Sequence, residues 1–101
     1  YAAWSLAPAR DPRAVPGLIQ QMSHPVWRMR AMAAHALAEM SDVRARPAMA
    51  AAATDEAWQV RVNGVRYLAR FDDADARARL RVARRDSHVM VRQAAERART
   101  P

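Results

Sequence analysis

The sequence predicts an all-α fold in which about three helical hairpins of 31 residues stack into a right-handed superhelix, an α-solenoid. Two observations lead to this prediction. The composition is rich in Ala, Leu, Met and Arg and contains only two glycines, which favours helix almost throughout. The chain also aligns with itself at a shift of 31 residues, and a period of about 20 to 50 residues is typical of stacked repeats.

The 31-residue shift brings several sets of similar residues into register. These sets are Arg30, Arg61 and Arg92; Asp11, Asp42 and Asp73; Met29, Val60 and Val91; Ala33, Gly64 and Ala95; and Leu6, Leu37 and Leu68. We therefore divide one domain, residues 1–101, into a partial repeat at 1–9 and repeats at 11–41, 42–72 and 73–101. A regular ladder, in which each arginine pairs with an aspartate or with carbonyls at a turn, is the expected role of the charged sets.

Each repeat is predicted to hold two helices. In the second helix of repeat one, apolar residues recur at steps of three and four, which predicts a buried stripe. The stripe consists of Val26, Met29, Ala33, Leu37 and Met40. The first helices are expected near residues 13–22, 44–53 and 74–84, with Asp11 and the later aspartates as caps.

Residues 76–82 (ARARLRV) alternate between apolar and polar types, a pattern typical of a half-buried strand. Ala, Leu and Arg are nevertheless good helix formers. The 31-residue register also places a first helix at this position. The sequence therefore predicts a helix here.

Residues 26–42 (VWRMRAMAAHALAEMSD) and 57–73 (AWQVRVNGVRYLARFDD) resemble the second helix of HEAT-like repeats, of the short bacterial kind also found in phycobilin lyases. That pattern reads Val-Arg, two free residues, Ala-Ala, a free residue and Ala-Leu-Gly, and it ends in Asp. Two departures are the missing glycine after Leu37 and Leu68, and Gly64 in place of the first alanine. The resemblance is specific for the fold, a superhelix, and says almost nothing about function. The function that we expect is a protein-interaction scaffold, and the sequence gives no particular partner.

The resemblance also implies that the free positions of each second helix point into a concave groove. Aromatic residues, methionine and arginine at such positions have the composition of a protein interface. The partner-binding residues expected from this are Trp27, Arg28, Met32, His35, Trp58, Asn63, Arg66, Arg70, Met90 and Arg97. The alternative for Trp27 and Trp58 is that they only cover the seam between successive second helices.

The net charge of +7 comes from 17 arginines against 10 acids, and residues 74–101 hold eight of the arginines. This prompts a second hypothesis, in which the chain binds nucleic acid. Its phosphate contacts would be Arg77, Arg81, Arg84 and Arg85, which a helical wheel places on one face. A third alternative, a lyase-type or chaperone-type accessory protein, rests on the resemblance alone.

The sequence contains no motif that indicates catalysis or cofactor binding. There is no cysteine, the three histidines lack metal-ligand spacing, and two glycines cannot form a phosphate-binding loop. We therefore expect no enzyme activity, no catalytic residue, no metal and no cofactor. No stretch approaches the roughly 18 apolar residues of a membrane span. The expected protein is cytoplasmic, and is either a monomer or, because it begins at Tyr1, a fragment of a larger chain.

Overall fold

The computed structural model describes residues 11–97 of the chain. Within these residues there are six α-helices and no strand. The helices are α1 (Val15–Gln21), α2 (Trp27–Met40), α3 (Arg46–Ala52), α4 (Trp58–Leu68), α5 (Ala74–Ala83) and α6 (Val89–Arg97). They form three successive hairpins, α1–α2, α3–α4 and α5–α6, so the prediction of an all-α fold of stacked hairpins is confirmed. The predicted partial repeat at residues 1–9 lies outside the described residues.

The first helix of each hairpin begins at an aspartate cap, as predicted. Asp11 and Asp42 each accept a hydrogen bond of 2.9 Å from the backbone N–H two residues on, and Asp73 accepts one of 2.8 Å from Ala76. In the first two hairpins the opening turn is a 3₁₀ helix, at Pro12–Ala14 and Val43–Ala45. The cause is Pro16 and its counterpart Pro47, which have no N–H to continue α-type bonding into that turn.

Residues 76–82 lie inside α5, so the helix predicted over the alternating stretch is confirmed. Ala76, Leu80 and Ala83 are buried at steps of four and three, as expected for one face of a helix. The arginines between them lie outside this buried face. The alternation therefore reflects a narrow apolar stripe and not the two faces of a strand.

The core runs through all three hairpins in two clusters. The larger joins the first two hairpins around buried Leu37, Met49 and Leu68, and the smaller joins the second and third around Val65 and Val91. The predicted stripe of α2 is correct at Ala33 and Leu37, which are buried, and Met29 and Met40 are half-buried. It is wrong at Val26, which is 49% exposed because it precedes the helix in an extended conformation.

An arginine ladder ties neighbouring hairpins together as predicted, but its carboxylates belong to Asp55 and Asp86. The Asp11, Asp42 and Asp73 series was the wrong partner set, because these residues pair with Arg13, Arg44 and Arg46 instead. Nε and Nη2 of Arg30 donate to both carboxylate oxygens of Asp55 at 2.8 and 3.1 Å. Nη1 of Arg30 donates to the carbonyls of His24 and Pro25 at 2.8 and 3.1 Å. Arg61 repeats this arrangement one hairpin later, with Asp86 as its carboxylate.

The aspartates of the ladder also cap the following second helices. Asp55 accepts a hydrogen bond from the N–H of Ala57 at 2.8 Å, and Asp86 accepts one from the N–H of His88 at 2.9 Å. In the first hairpin, Nδ1 of His24 takes the equivalent role toward Val26 at 3.0 Å. One side chain therefore caps the second helix in each of these loops. Where that side chain is an aspartate, it also binds the ladder arginine of the preceding hairpin.

Candidate functional site

A groove of about 440 Å³ lies between α4 and α6 on the second and third hairpins. Its lining residues are Val62, Asn63, Arg66, Ala69, Arg70, Met90, Gln93, Ala94 and Arg97. Most of its lining residues occupy free repeat positions of these two helices. Its charged lining residues are three arginines, with no carboxylate among them.

Half of the partner-binding residues expected from the sequence meet in this groove. Asn63 and Arg66 come from α4, Arg70 lies just beyond its end, and Met90 and Arg97 come from α6. Of the remaining lining residues, Val62, Gln93 and Ala94 were expected to face the groove but not to bind the partner, and only Ala69 was missed. Val62, Gln93 and Ala94 occupy free positions of the pattern, but as small or neutral residues they gave no chemical signal. Ala69 stands at the glycine position after Leu68, which the pattern does not assign to the groove.

Arg66 is held in place by the second hairpin and the first. Its Nη2 donates to Oε2 of Glu39 at 2.7 Å, and its Nη1 donates to Oδ1 of Asn63 at 2.8 Å. Nη1 also lies 3.4 Å from Nδ1 of His35. The hydrogen bond from Arg66 is the main reason that the pKa of Glu39 lies below its ordinary value, against the opposing effect of burial. The charge of Arg66 is thus balanced by an acid outside the groove.

Arg70 and Arg97 form no ion pair with a carboxylate of residues 11–97. Arg70 is exposed, and its Nη1 donates to the hydroxyl of Ser41 at 2.5 Å and the carbonyl of Glu39 at 3.5 Å. Arg97 is exposed and forms no hydrogen bond or ion pair with any of residues 11–97. Two guanidinium groups therefore face the groove without a carboxylate bound to them in the described part of the chain.

The apolar part of the groove lies beside these charges. Val62 and Ala69 pack against the smaller core cluster, and Ala94 is nearly buried at 8% exposure. Met90 is 43% exposed and offers a flexible thioether that adapts to different apolar shapes. The groove thus combines an apolar contact area with fixed positive charge.

The other expected partner-binding residues lie outside the groove lining. Trp27 is 38% exposed, and the guanidinium of Arg28 lies 5.4 Å from the centroid of the Trp27 ring. Met32 is half-buried on α2, and His35 is exposed beside Arg66. These residues form a separate surface on the first hairpin.

Trp58 covers the seam between α4 and α6. Its ring stacks on that of His88 with centroids 3.9 Å apart and an interplanar angle of 13°, and it packs against the smaller core cluster. This corresponds to the structural alternative considered for the tryptophans. No sequence pattern indicated the contact between His88 and Trp58.

The residues expected to contact phosphates do not form one free patch. Arg77 forms an ion pair with Asp72 at 2.6 Å. Arg84 is half-buried, and its Nε is buried without a hydrogen-bond partner in the described structure. Arg81 and Arg85 are exposed and form no ion pair within residues 11–97. The accessible unpaired charge on this side of α5 is therefore two arginines.

Histidines and acids of the described range form no group of three placed to hold a metal ion. No helix within residues 11–97 is both long and apolar enough to cross a membrane.

The stacked helical hairpins, the ladder between them and the groove on the second helices define a repeat protein of the α-solenoid class. Residues 1–61 match the family model for HEAT repeats, and this chain belongs to that family. HEAT repeats are generally scaffolds for protein interactions, typically without enzyme activity. Among curated proteins the comparison finds no match.

Proposed function

We propose that this chain is a non-enzymatic scaffold that binds a segment of a protein partner in the groove between α4 and α6. The observation that carries the proposal is the groove itself, about 440 Å³ in volume, with arginine, asparagine and methionine around it. Arginine and methionine are enriched at protein interfaces. The groove also lies on the second helices, where HEAT-like resemblance places the binding face.

The chemistry of the lining supports recognition and not reaction. Guanidinium groups stay protonated at any physiological pH, and the amides of Asn63 and Gln93 neither gain nor lose a proton. Arg66 and Asn63 are already fixed to one another at 2.8 Å. The lining therefore offers hydrogen bonds, charge and apolar area, which are the elements of a binding surface.

The ladder makes this surface rigid before a partner arrives. Arg61 ties the α3–α4 loop and α4 to Asp86, in the loop that precedes α6. Because the two walls of the groove are joined in this way, little conformational entropy is lost when a ligand binds between them.

Photocrosslinking tests the proposal. The photoreactive residue p-benzoylphenylalanine is placed at Met90 in the groove, and in a matched control at Val82, which is 71% exposed on α5. After irradiation in an extract of the source cells, we expect a protein adduct at position 90 and not at 82. The adduct is identified by mass spectrometry, and its affinity for the purified chain and for a Met90→Arg variant is measured by calorimetry. Equal labelling at both positions, or unchanged affinity of the variant, contradicts the proposal.

Treatment of the same extract with nuclease distinguishes nucleic-acid binding from protein binding. If adducts at position 82 are lost on nuclease treatment while none form at position 90, the exposed Arg81 and Arg85 on that side are the binding groups. That outcome replaces the groove with a phosphate-binding face, whose affinity falls steeply with salt.

A further inference from the structure

At a shift of 31 residues, the positions that line the groove correspond to positions in the crevice one hairpin earlier, between α2 and α4. In the earlier crevice, Glu39 on α2 and Arg66 on α4 form an ion pair of 2.7 Å across the gap. Adding 31 to each position gives Arg70 and Arg97. The equivalent pair at the groove therefore consists of two positive charges, which repel one another.

Among residues 11–97, no ion pair of this kind therefore links the two walls of the groove. Opposite charges across the first crevice link its two walls, whereas two guanidinium groups cannot form such a link. Arg97 has no ion pair within residues 11–97. Arg70 donates hydrogen bonds to the hydroxyl of Ser41 and the carbonyl of Glu39, and its charge is attracted to the Glu39 carboxylate without forming an ion pair with it. The groove thus has no counterpart of the Glu39 carboxylate.

We propose that the partner supplies this carboxylate: the groove binds an acidic peptide segment, with a Glu or Asp side chain between Arg70 and Arg97 and an adjacent apolar side chain against Met90. The inference rests on the proposed function and adds the chemistry of the ligand. Guanidinium groups match carboxylates through paired N–H donors. The partner's acid thus takes the position that Glu39 has against Arg66.

The apolar part of the groove distinguishes a peptide from a nucleic acid. Phosphate binding needs positive charge alone, whereas this groove places Met90, Ala94 and Val62 beside its arginines. An acidic peptide that carries one apolar residue satisfies both parts of the lining. A nucleic-acid backbone leaves the exposed Met90 without an apolar partner.

Fluorescence anisotropy with defined peptides tests the ligand chemistry. The probe is the fluorescein-labelled peptide Gly-Ser-Glu-Glu-Leu-Glu-Glu-Ser-Gly, compared with one peptide whose glutamates are glutamines and another whose leucine is serine. We expect the glutamine peptide to bind at least about tenfold more weakly, and the serine peptide about threefold more weakly. Equal binding of the glutamate and glutamine peptides, or no binding of the glutamate peptide at about 1 mM, overturns the inference.

The decisive variant is Arg70→Glu, which recreates the Glu39 arrangement at the groove. Glu at position 70 can pair with Arg97, so we expect the acidic peptide to lose about tenfold or more in affinity. The matched control is Arg81→Glu, the same charge change on the exposed side of α5, with an expected loss below about threefold. Helicity by circular dichroism verifies folding, and Arg97→Gln provides a second test if Arg70→Glu does not fold. Equal losses in Arg70→Glu and Arg81→Glu indicate a nonspecific charge effect and overturn the inference.

The two proposals fail in different ways. If a protein crosslinks at position 90 but peptide affinity is independent of glutamate, the acidic ligand is wrong and the binding groove stands. If a single-stranded DNA of equal charge binds as tightly as the peptide and loses affinity equally in Arg70→Glu, the groove recognises any polyanion and the inference is overturned.

Discussion

The guanidinium of Arg61 binds both carboxylate oxygens of Asp86, 25 residues further along the chain, at 2.9 and 3.0 Å. Both side chains are largely shielded, with 16% and 14% of their surface exposed. Burial alone raises the pKa of Asp86, but the hydrogen bonds from Arg61 and from the N–H of His88 outweigh it and lower the pKa below its ordinary value. The loop before α6 is thus held by the hairpin that precedes it.

A double-mutant cycle measures this coupling. Arg61→Met keeps most of the aliphatic stem, and Asp86→Asn keeps an oxygen that can accept from His88. We expect each variant to lower the free energy of unfolding by about 1–3 kcal/mol, because a shielded charge loses its partner. The coupling energy from urea denaturation should be about 1–2 kcal/mol.

The control for this cycle is the pair of Arg77 and Asp72, whose side chains are 55% and 87% exposed. Exposed ion pairs contribute little, so the coupling there should stay below about 0.5 kcal/mol. Equal coupling energies for the two pairs contradict a structural role for the ladder.

Gly64→Ala is expected to destabilise the protein by about 1–3 kcal/mol. A Cβ at position 64 lies 2.6 Å from the backbone nitrogen of Ala53 and 2.9 Å from the carbonyl oxygen of Met49, so α3 and α4 must move apart. The preference of helices for alanine offsets only about 1 kcal/mol of this cost. Thermal unfolding followed by circular dichroism measures the change.

Gly17 provides the matched control, because an added Cβ has nothing within 4 Å. Gly17→Ala in α1 should raise the unfolding free energy by about 0.5–1 kcal/mol through helix propensity. A stabilising Gly64→Ala would show that α3 and α4 adjust freely at this contact.

The two tryptophans should respond differently to truncation. Trp58→Ala removes the stack on His88 and cover from the smaller core cluster, so we expect a loss of about 2–3 kcal/mol in unfolding free energy. Trp27 is 38% exposed, and Trp27→Ala should cost less than about 1 kcal/mol. Urea denaturation measures both values. Equal losses of unfolding free energy in the two variants would show that the contacts of Trp58 add no more stability than those of Trp27.

The fold was predictable because hydrophobic periodicity, capping aspartates and the ladder arginines all recur at one spacing. Even the ambiguous residues 76–82 were decided by that spacing, since Asp73 caps the helix that contains them. The predicted repeat boundaries at 11–41, 42–72 and 73–101 stay a prediction. The position of Val26 was not predictable from periodicity, because it lies one residue before its helix and so leaves the buried stripe.

The site was less predictable, because contacts between repeats depend on which residues face each other. Trp27 and Trp58 are equivalent in sequence, yet Trp58 faces His88 where the equivalent position for Trp27 is Ala57. In the same way, the repeat pattern does not distinguish the free positions of one second helix from those of the next. Only the structure shows that Glu39 pairs with Arg66. Whether an ion pair crosses a crevice therefore follows from pairs of residues in different helices and not from any one motif.

The caps of the second and third hairpins make stability depend on pH in the acid range. The hydrogen bonds from Arg44 and Arg46 are the main causes that lower the pKa values of Asp42 and Asp73, each to about 2. An unfolded aspartate titrates near about pH 4, so the unfolded chain takes up protons first as the pH falls. The stabilisation by these carboxylates is therefore complete above about pH 4 and is lost progressively toward about pH 2.

The variant Asp73→Asn isolates this effect, since asparagine is also a good helix cap and only the charge is removed. We expect the variant to be less stable than the native chain at pH 6, because Arg46 loses its ion pair and one of its two hydrogen bonds to Asp73, of 2.8 and 3.0 Å. Between about pH 4 and pH 2 its urea midpoint should fall less steeply, because one group no longer takes up a proton on unfolding. Urea midpoints from circular dichroism across this range measure both effects. Parallel curves for the two proteins would show that the carboxylate of Asp73 contributes nothing to the acid response.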